Sequence, residues 1–66
     1  MRKLTYMVTE EGEQSQSIRN IEFITDRTAT WTEKQYLRNR KNTTMNLISE
    51  EETEETEATS RELDFD

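Results

Sequence analysis

The sequence predicts a small α+β minidomain, in which a β-hairpin is followed by one helix and then by an acidic C-terminal tail. Sixty-six residues allow a single domain with a small core. Two stretches before residue 25 alternate apolar and polar side chains, which is typical of half-buried strands. A helix-start pattern follows near Trp31, and beyond Ser49 acidic residues dominate.

The two alternating stretches predict an antiparallel hairpin from about residue 3 to residue 25. A polar connection over residues 10–17 contains the only glycine, Gly12, where we expect a positive φ. A tight turn at Glu11 and Gly12 would place a polar residue opposite Tyr6. A longer loop instead joins the two apolar faces, so we expect the pairs Tyr6 with Ile21 and Leu4 with Phe23.

A capping pattern predicts a helix from about residue 33 to residue 42. Thr32 and Gln35 have the spacing of a capping box, and an overlapping box of Thr30 and Glu33 shifts the start by up to two residues. The side chains that we expect to face inward are the apolar and aromatic ones, namely Trp31, Tyr36 and Leu37.

The stretch from Thr44 to Ile48 has two interpretations. It forms either a short third strand, with Met45 and Leu47 on one face, or a continuation of the helix. In both cases we expect the minidomain to occupy residues 1–48. The acidic tail then covers residues 49–66 and is disordered when free, or helical on binding.

Composition argues against several functional classes. The chain has no cysteine and no histidine, so disulfides, zinc sites and the common nucleophile-base pairs lack their residues. We therefore expect no enzymatic activity, no cofactor and no bound metal. The amino-terminal apolar run is too short for a signal peptide, and no stretch is long enough to span a membrane. We expect a cytoplasmic protein without membrane association, located in the host cytoplasm if it is viral.

Charge is distributed unevenly along the chain. The net charge of the protein is −6, whereas the nine acidic residues and one arginine of Ser49–Asp66 give that segment alone −8. The preceding residues 27–48 carry five basic residues and one acidic residue, and so have a charge of +4. Any function must therefore account for a mildly basic segment that is followed by a strongly acidic one.

The acidic segment predicts a protein-binding function. Closely spaced carboxylates can occupy a basic groove on another protein in place of nucleic-acid phosphates. Leu63 and Phe65, set among acidic residues, could enter a pocket while the charges contact its basic rim. The candidate partner-binding residues are Glu50, Glu51, Glu52, Glu54, Glu55, Glu57, Leu63, Asp64, Phe65 and Asp66.

Two resemblances accompany this interpretation. The last four residues, Leu63-Asp64-Phe65-Asp66, resemble the acidic, phenylalanine-bearing tail of bacterial single-stranded-DNA-binding proteins, although here Asp66 follows the phenylalanine. The small, acidic, cysteine-free composition is similar to that of phage early proteins and anti-defence inhibitors, including anti-CRISPR proteins. These resemblances imply an inhibitor or regulator that docks on a larger protein with a basic, nucleic-acid-binding surface.

A second hypothesis is direct binding of nucleic acid. Trp31 and Tyr36 are available for stacking on bases. Four basic residues on and just after the predicted helix could contact phosphates, namely Lys34, Arg38, Arg40 and Lys41. In this alternative the acidic tail masks the basic helix. A third hypothesis is a structural protein that becomes ordered between larger subunits.

Overall fold

Two long strands form the centre of the sheet. The computed structural model describes residues 1–63. Strand β1 (Arg2–Glu11) pairs antiparallel with β2 (Gln16–Thr25). Tyr6 lies opposite Ile21 and Leu4 lies opposite Phe23, so the register predicted from the apolar faces is confirmed. Burial of those faces fixes the register, because a shift of one residue would expose every apolar side chain.

The hairpin connection is short, and the glycine serves a different purpose from the predicted one. Gly12 does not have a positive φ. Its amide donates to the Ser15 carbonyl oxygen at 2.7 Å, and a Cβ at this position would lie only 3.2 Å from that oxygen. Close approach of the backbone therefore explains the glycine. A positive φ of 54° occurs instead at Asn42, a residue type that tolerates the left-handed region.

The helix α1 (Ala29–Leu37) begins four residues earlier than predicted. Thr28 is its N-cap, and its Oγ1 accepts a hydrogen bond from the Trp31 amide at 3.1 Å. Thr32 instead lies inside the helix, where it is buried and donates to the Thr28 carbonyl at 3.0 Å. Both predicted capping boxes are therefore wrong. The helix also ends at Leu37 rather than near residue 42, because the chain turns there toward the next strand.

The third strand exists and is longer than predicted. β3 (Thr43–Glu52) pairs antiparallel with the other edge of β1. Tyr6 lies opposite Leu47 whereas Thr5 lies opposite Ser49, so Ile48 is the extra residue of a β-bulge. The bulge resets the alternation of side chains between the faces of the sheet for the acidic end of the strand.

The predicted disordered or helical tail is wrong for residues 49–63. Ser49–Glu52 complete β3, residues 53–58 form a connection, and β4 (Thr59–Leu63) pairs antiparallel with β2. The chain is thus an α+β domain with one four-stranded antiparallel sheet in the order β3-β1-β2-β4. The predicted contact residues Asp64, Phe65 and Asp66 lie outside the described residues.

The core lies between the sheet and α1. Three side chains of β1 are fully buried, namely Leu4, Tyr6 and Val8. Ile21 and Met45 extend this cluster. The Phe23 ring packs edge-to-face against Tyr6 and against Tyr36, with centroids 5.9 Å apart in both pairs. Tyr36 and Leu37 face the core as predicted. Trp31 does not, since it is 43% exposed.

Candidate functional site

The predicted acidic residues occupy one end of the sheet. β3 and β4 are the two edge strands, so the chain between them must cross the ends of β1 and β2. Three strand spacings amount to about 14 Å, a distance that the six residues 53–58 can span. The Thr53 amide donates to the Met1 carbonyl at 2.9 Å, and the terminal amine donates to the Thr53 carbonyl at 3.3 Å. These bonds hold the start of the connection against the end of β1.

Six glutamates therefore share one ordered region, which we call the acidic end: Glu50, Glu51 and Glu52 in β3, and Glu54, Glu55 and Glu57 in the connection. All six are exposed. Arg2 contacts Glu50 at 3.4 Å, and no other carboxylate of the acidic end lies within 4.0 Å of a cation in residues 1–63. The acidic end therefore presents a largely uncompensated negative charge to solvent.

The spacing of these charges follows from the strand. A β-strand with a glutamate at each position carries one negative charge per about 3.4 Å. Glu50–Glu52 form such a run. One strand of double-helical DNA also carries one charge per about 3.4 Å of helix axis. Because successive side chains of a strand point to opposite faces, Glu50 and Glu52 lie about 6.8 Å apart on one face and Glu51 lies on the other, so the run has the charge per length of a nucleic-acid backbone when both faces are counted.

An aromatic groove adjoins the acidic end. It has a volume of about 390 Å³ between α1 and β4, and its apolar lining comes from Phe23, Ile24, Trp31, Tyr36 and Ala58. Thr59 lines both this groove and the concave side of the acidic connection. The Arg27 guanidinium lies 5.1 Å from the centre of the Trp31 ring, which shows that the exposed ring accepts a cation. The site thus combines an apolar groove with the acidic connection, which adjoins it at Thr59.

Sequence reasoning missed this groove because it depends on β4. Ala58, Thr59 and Ser60 line it only after the chain has crossed the sheet. Thr59–Leu63 has two opposite charges, Arg61 and Glu62, and a single leucine at its end, so it lacks the apolar alternation that predicts a strand. In the structure the Glu22 side chain is only 13% exposed and lies between Lys3 at 4.0 Å and Arg61 at 3.6 Å. β4 therefore supplies one of the two cations beside Glu22.

The predicted basic residues lie at the other end of the sheet. Lys34 is in α1, Arg38 caps its C-terminus, and Arg40 and Lys41 lie in the turn before β3. Arg40 is engaged within the protein, because its guanidinium stacks on Tyr36 at 4.2 Å and contacts Glu10 at 3.7 Å. Lys34, Arg38 and Lys41 are exposed.

Arg19 adds a cation to this basic end. Its guanidinium contacts the Glu10 carboxylate and donates to the Tyr36 hydroxyl at 3.0 Å, a hydrogen bond that raises the pKa of Arg19 above its ordinary value. Met1 pairs with Thr53 at one end of β1, whereas Glu10 contacts Arg40 at the other. The acidic connection therefore does not cover the basic residues.

One buried hydroxyl joins the sheet to the helix. The Tyr6 hydroxyl donates to the Glu33 carboxylate at 3.0 Å, with the Ala29 carbonyl as a second acceptor at 3.3 Å. Burial, followed by the hydrogen bond to Glu33 and by its charge, raises the pKa of Tyr6 well above the ordinary value of 10.0. This hydrogen bond connects β1 to α1 and so supports the fold beneath the site. The Tyr6 hydroxyl keeps its proton at neutral pH.

Comparisons with known proteins give no family for this chain. No family model, no curated protein and no solved structure matches it. Within residues 1–63, no helix is long and apolar enough to cross a membrane. The same part of the chain holds no cluster of three or more carboxylates arranged to bind a metal ion. The acidic end and the groove are therefore the features from which a function can be inferred.

Proposed function

We propose that this protein is a non-enzymatic binding protein, an inhibitor or regulator that docks its acidic end on a basic, nucleic-acid-binding surface of a larger protein. The observation that carries the proposal is the gathering of six exposed glutamates at one end of an ordered sheet, with only Glu50 contacting a cation in the described residues. A partner's arginines and lysines would release counterions on contact, as they do on a phosphate backbone.

Order in the acidic end favours this function. A flexible segment loses conformational entropy when it binds, whereas a strand and a connection that are already fixed lose less. The hydrogen bonds between Thr53 and Met1 and the pairing of β4 with β2 hold the connection at both ends. The carboxylates are thus positioned before the partner arrives.

The groove supplies a second element of recognition. Charge alone steers association and gives little selectivity between basic surfaces. An aliphatic or aromatic side chain of the partner that entered the groove beside Trp31 would bury apolar area next to the charged contact. The expected partner surface is therefore basic with one protruding apolar residue. We expect this protein to belong to the inhibitors of nucleic-acid-binding defence proteins.

A pair of variants with equal charge tests the proposal. Glu54→Gln/Glu55→Gln removes two charges from the acidic end, and Glu11→Gln/Glu13→Gln removes two exposed charges from the tip of the hairpin, one at the end of β1 and one in the turn. Each protein is immobilised and used to capture proteins from a lysate of the cells in which the chain is made, followed by elution with short duplex DNA. We expect a nucleic-acid-binding protein to elute from the unmodified chain.

The variants then separate mimicry from a general effect of net charge. We expect capture to weaken about tenfold, or about 1.4 kcal/mol, for the acidic-end variant at low salt, and to stay unchanged for the hairpin variant. Equal loss in both variants would overturn the proposal, because net charge alone would then explain binding. Capture that duplex DNA does not reverse, or no capture at all, would overturn it as well.

A further inference from the structure

The outer edge of β3 has no strand paired with it among residues 1–63. β3 is a ten-residue edge strand, and only its inner side pairs with β1 in the part of the chain that the structure describes. Long edge strands pair with other strands unless proline, inward charges or bulges prevent it. Thr43–Leu47 contains none of these, whereas the following residues contain a bulge at Ile48 and the glutamate run. The regular segment Thr43–Leu47 is therefore the part of the edge that can accept a strand.

Charges on either side of this segment favour one orientation of an added strand. Arg38 and Arg40 lie just before the start of β3, at the C-cap of α1 and in the turn that follows. Glu50 and Glu52 lie at the other end of β3, beyond the bulge at Ile48. An antiparallel second copy, with its two-fold axis near Met45, brings the basic start of each β3 toward the acidic end of the other. A parallel copy would instead bring like charges together.

We propose that two copies of this chain associate by antiparallel pairing of their β3 edges, centred near Met45, to form a continuous eight-stranded sheet. Leu47 and Ile48, which are 42% and 58% exposed, add apolar contact beside the axis. The backbone bonds of a short segment bury little area, so the association is weak and depends on concentration and on salt. Glu50 and Glu52 belong to the acidic end as well as to this contact, whereas Glu54 and Glu55, which test the proposed function, are not used by it, so the two proposals can fail independently.

A charge exchange tests the orientation. Glu52→Arg places an arginine near the basic residues of the other copy, and the two-fold symmetry repeats this repulsion at both ends of the contact. We expect about tenfold weaker self-association by sedimentation at low salt. Arg38→Glu is expected to do the same, and the double variant to recover association. Glu13→Arg is the matched control, since it changes the net charge equally at an exposed position in the hairpin turn. Glu52→Arg changes the net charge from −6 to −4, which by itself would strengthen self-association, so weaker association of this variant is specific to the contact, and recovery in the double variant, whose net charge is again −6, is the test of Arg38.

Cysteine cross-linking tests the register in a chain that has no cysteine of its own. With the axis at Met45, Thr44 of one copy lies opposite Asn46 of the other, and both side chains are exposed on the sheet face away from the helix. A mixture of Thr44→Cys and Asn46→Cys chains should therefore form a disulfide-linked heterodimer several times faster than either variant alone.

Three results would overturn the proposal. The first is an unmodified chain that sediments as a monomer at every concentration, while circular dichroism shows that it is folded. The second is a charge-exchange double variant that does not recover, or a Glu13→Arg control that weakens association as much as Glu52→Arg. The third is cross-linking of Thr44→Cys to itself as fast as to Asn46→Cys, which would indicate a parallel or non-specific contact.

Discussion

Replacing Tyr6 with phenylalanine removes the hydroxyl that joins the buried centre of β1 to α1. The substitution keeps the ring, with its edge-to-face contact to Phe23, and removes only the hydroxyl that donates to Glu33 at 3.0 Å. A hydrogen bond to a charged group contributes about 1.5–3 kcal/mol, and water can reach the half-buried Glu33 after the change. We therefore expect Tyr6→Phe to lower the free energy of unfolding by about 1.5 kcal/mol at pH 7.

The size of this loss should depend on pH in a direction set by the tyrosine. The pKa of Tyr6 is raised in the folded protein, so its contribution is complete below the unfolded pKa of 10.0 and declines as pH rises above it. At pH 11 the unfolded chain gains about 1.4 kcal/mol by releasing the proton, whereas the folded chain keeps it. At pH 11 the stabilisation that the Tyr6 hydroxyl provides is then cancelled, so the unmodified protein and Tyr6→Phe should have about the same free energy of unfolding.

Urea denaturation of both proteins at pH 7, 9 and 11, followed by Trp31 fluorescence and far-ultraviolet circular dichroism, measures the difference. Groups that the substitution leaves unchanged contribute equally in both proteins, so their effects cancel in the difference. Glu33→Gln is the control background, in which Tyr6→Phe should cost less than half as much at pH 7. A stability difference that stays constant from pH 7 to pH 11, or no difference at pH 7, would refute the assignment of this contact.

Two further predictions concern the helix start and the acidic segment. Thr28→Ala should lower the free energy of unfolding by about 1 kcal/mol, whereas Thr30→Ala, at an exposed helical position, should leave it unchanged or slightly raised. Equal effects in urea denaturation would contradict the assignment of the N-cap. A chain ending at Ile48 lacks the end of β3 and all of β4, and it should lose cooperative unfolding, because a domain of this size has only about 5 kcal/mol of stability. A chain ending at Leu63 should retain the fold, and a cooperative thermal transition in the shorter chain would show that β4 is dispensable.

Local pattern was sufficient to predict the hairpin. In β1 and β2 every second residue is apolar near the centre, and matching those faces gives the observed pairing of Tyr6 with Ile21. The third strand was also accessible, because Met45 and Leu47 repeat the same period. Such predictions succeed because side chains alternate between the two faces of a strand, so its apolar face can be identified from the residues of that strand alone.

The helix start could not be read from local pattern. Thr28, Thr30 and Thr32 are each followed by residues that can begin a helix, and the two capping-box matches favoured the wrong ones. Burial decided the outcome, because a helix that begins at Ala29 places Thr32 inside and brings Glu33 to the Tyr6 hydroxyl. That contact depends on β1 and is not visible in the helix sequence.

The sequence by itself determined the α+β class, the hairpin register, and the separation of a basic segment from an acidic one. Tertiary structure decided that most of the acidic segment is part of the sheet. β2 would otherwise be an open edge with a half-buried Glu22, and β4 supplies its backbone partners together with Arg61. Charge repulsion and low apolar content argue for disorder when the segment is considered alone, and pairing across the sheet overrides them.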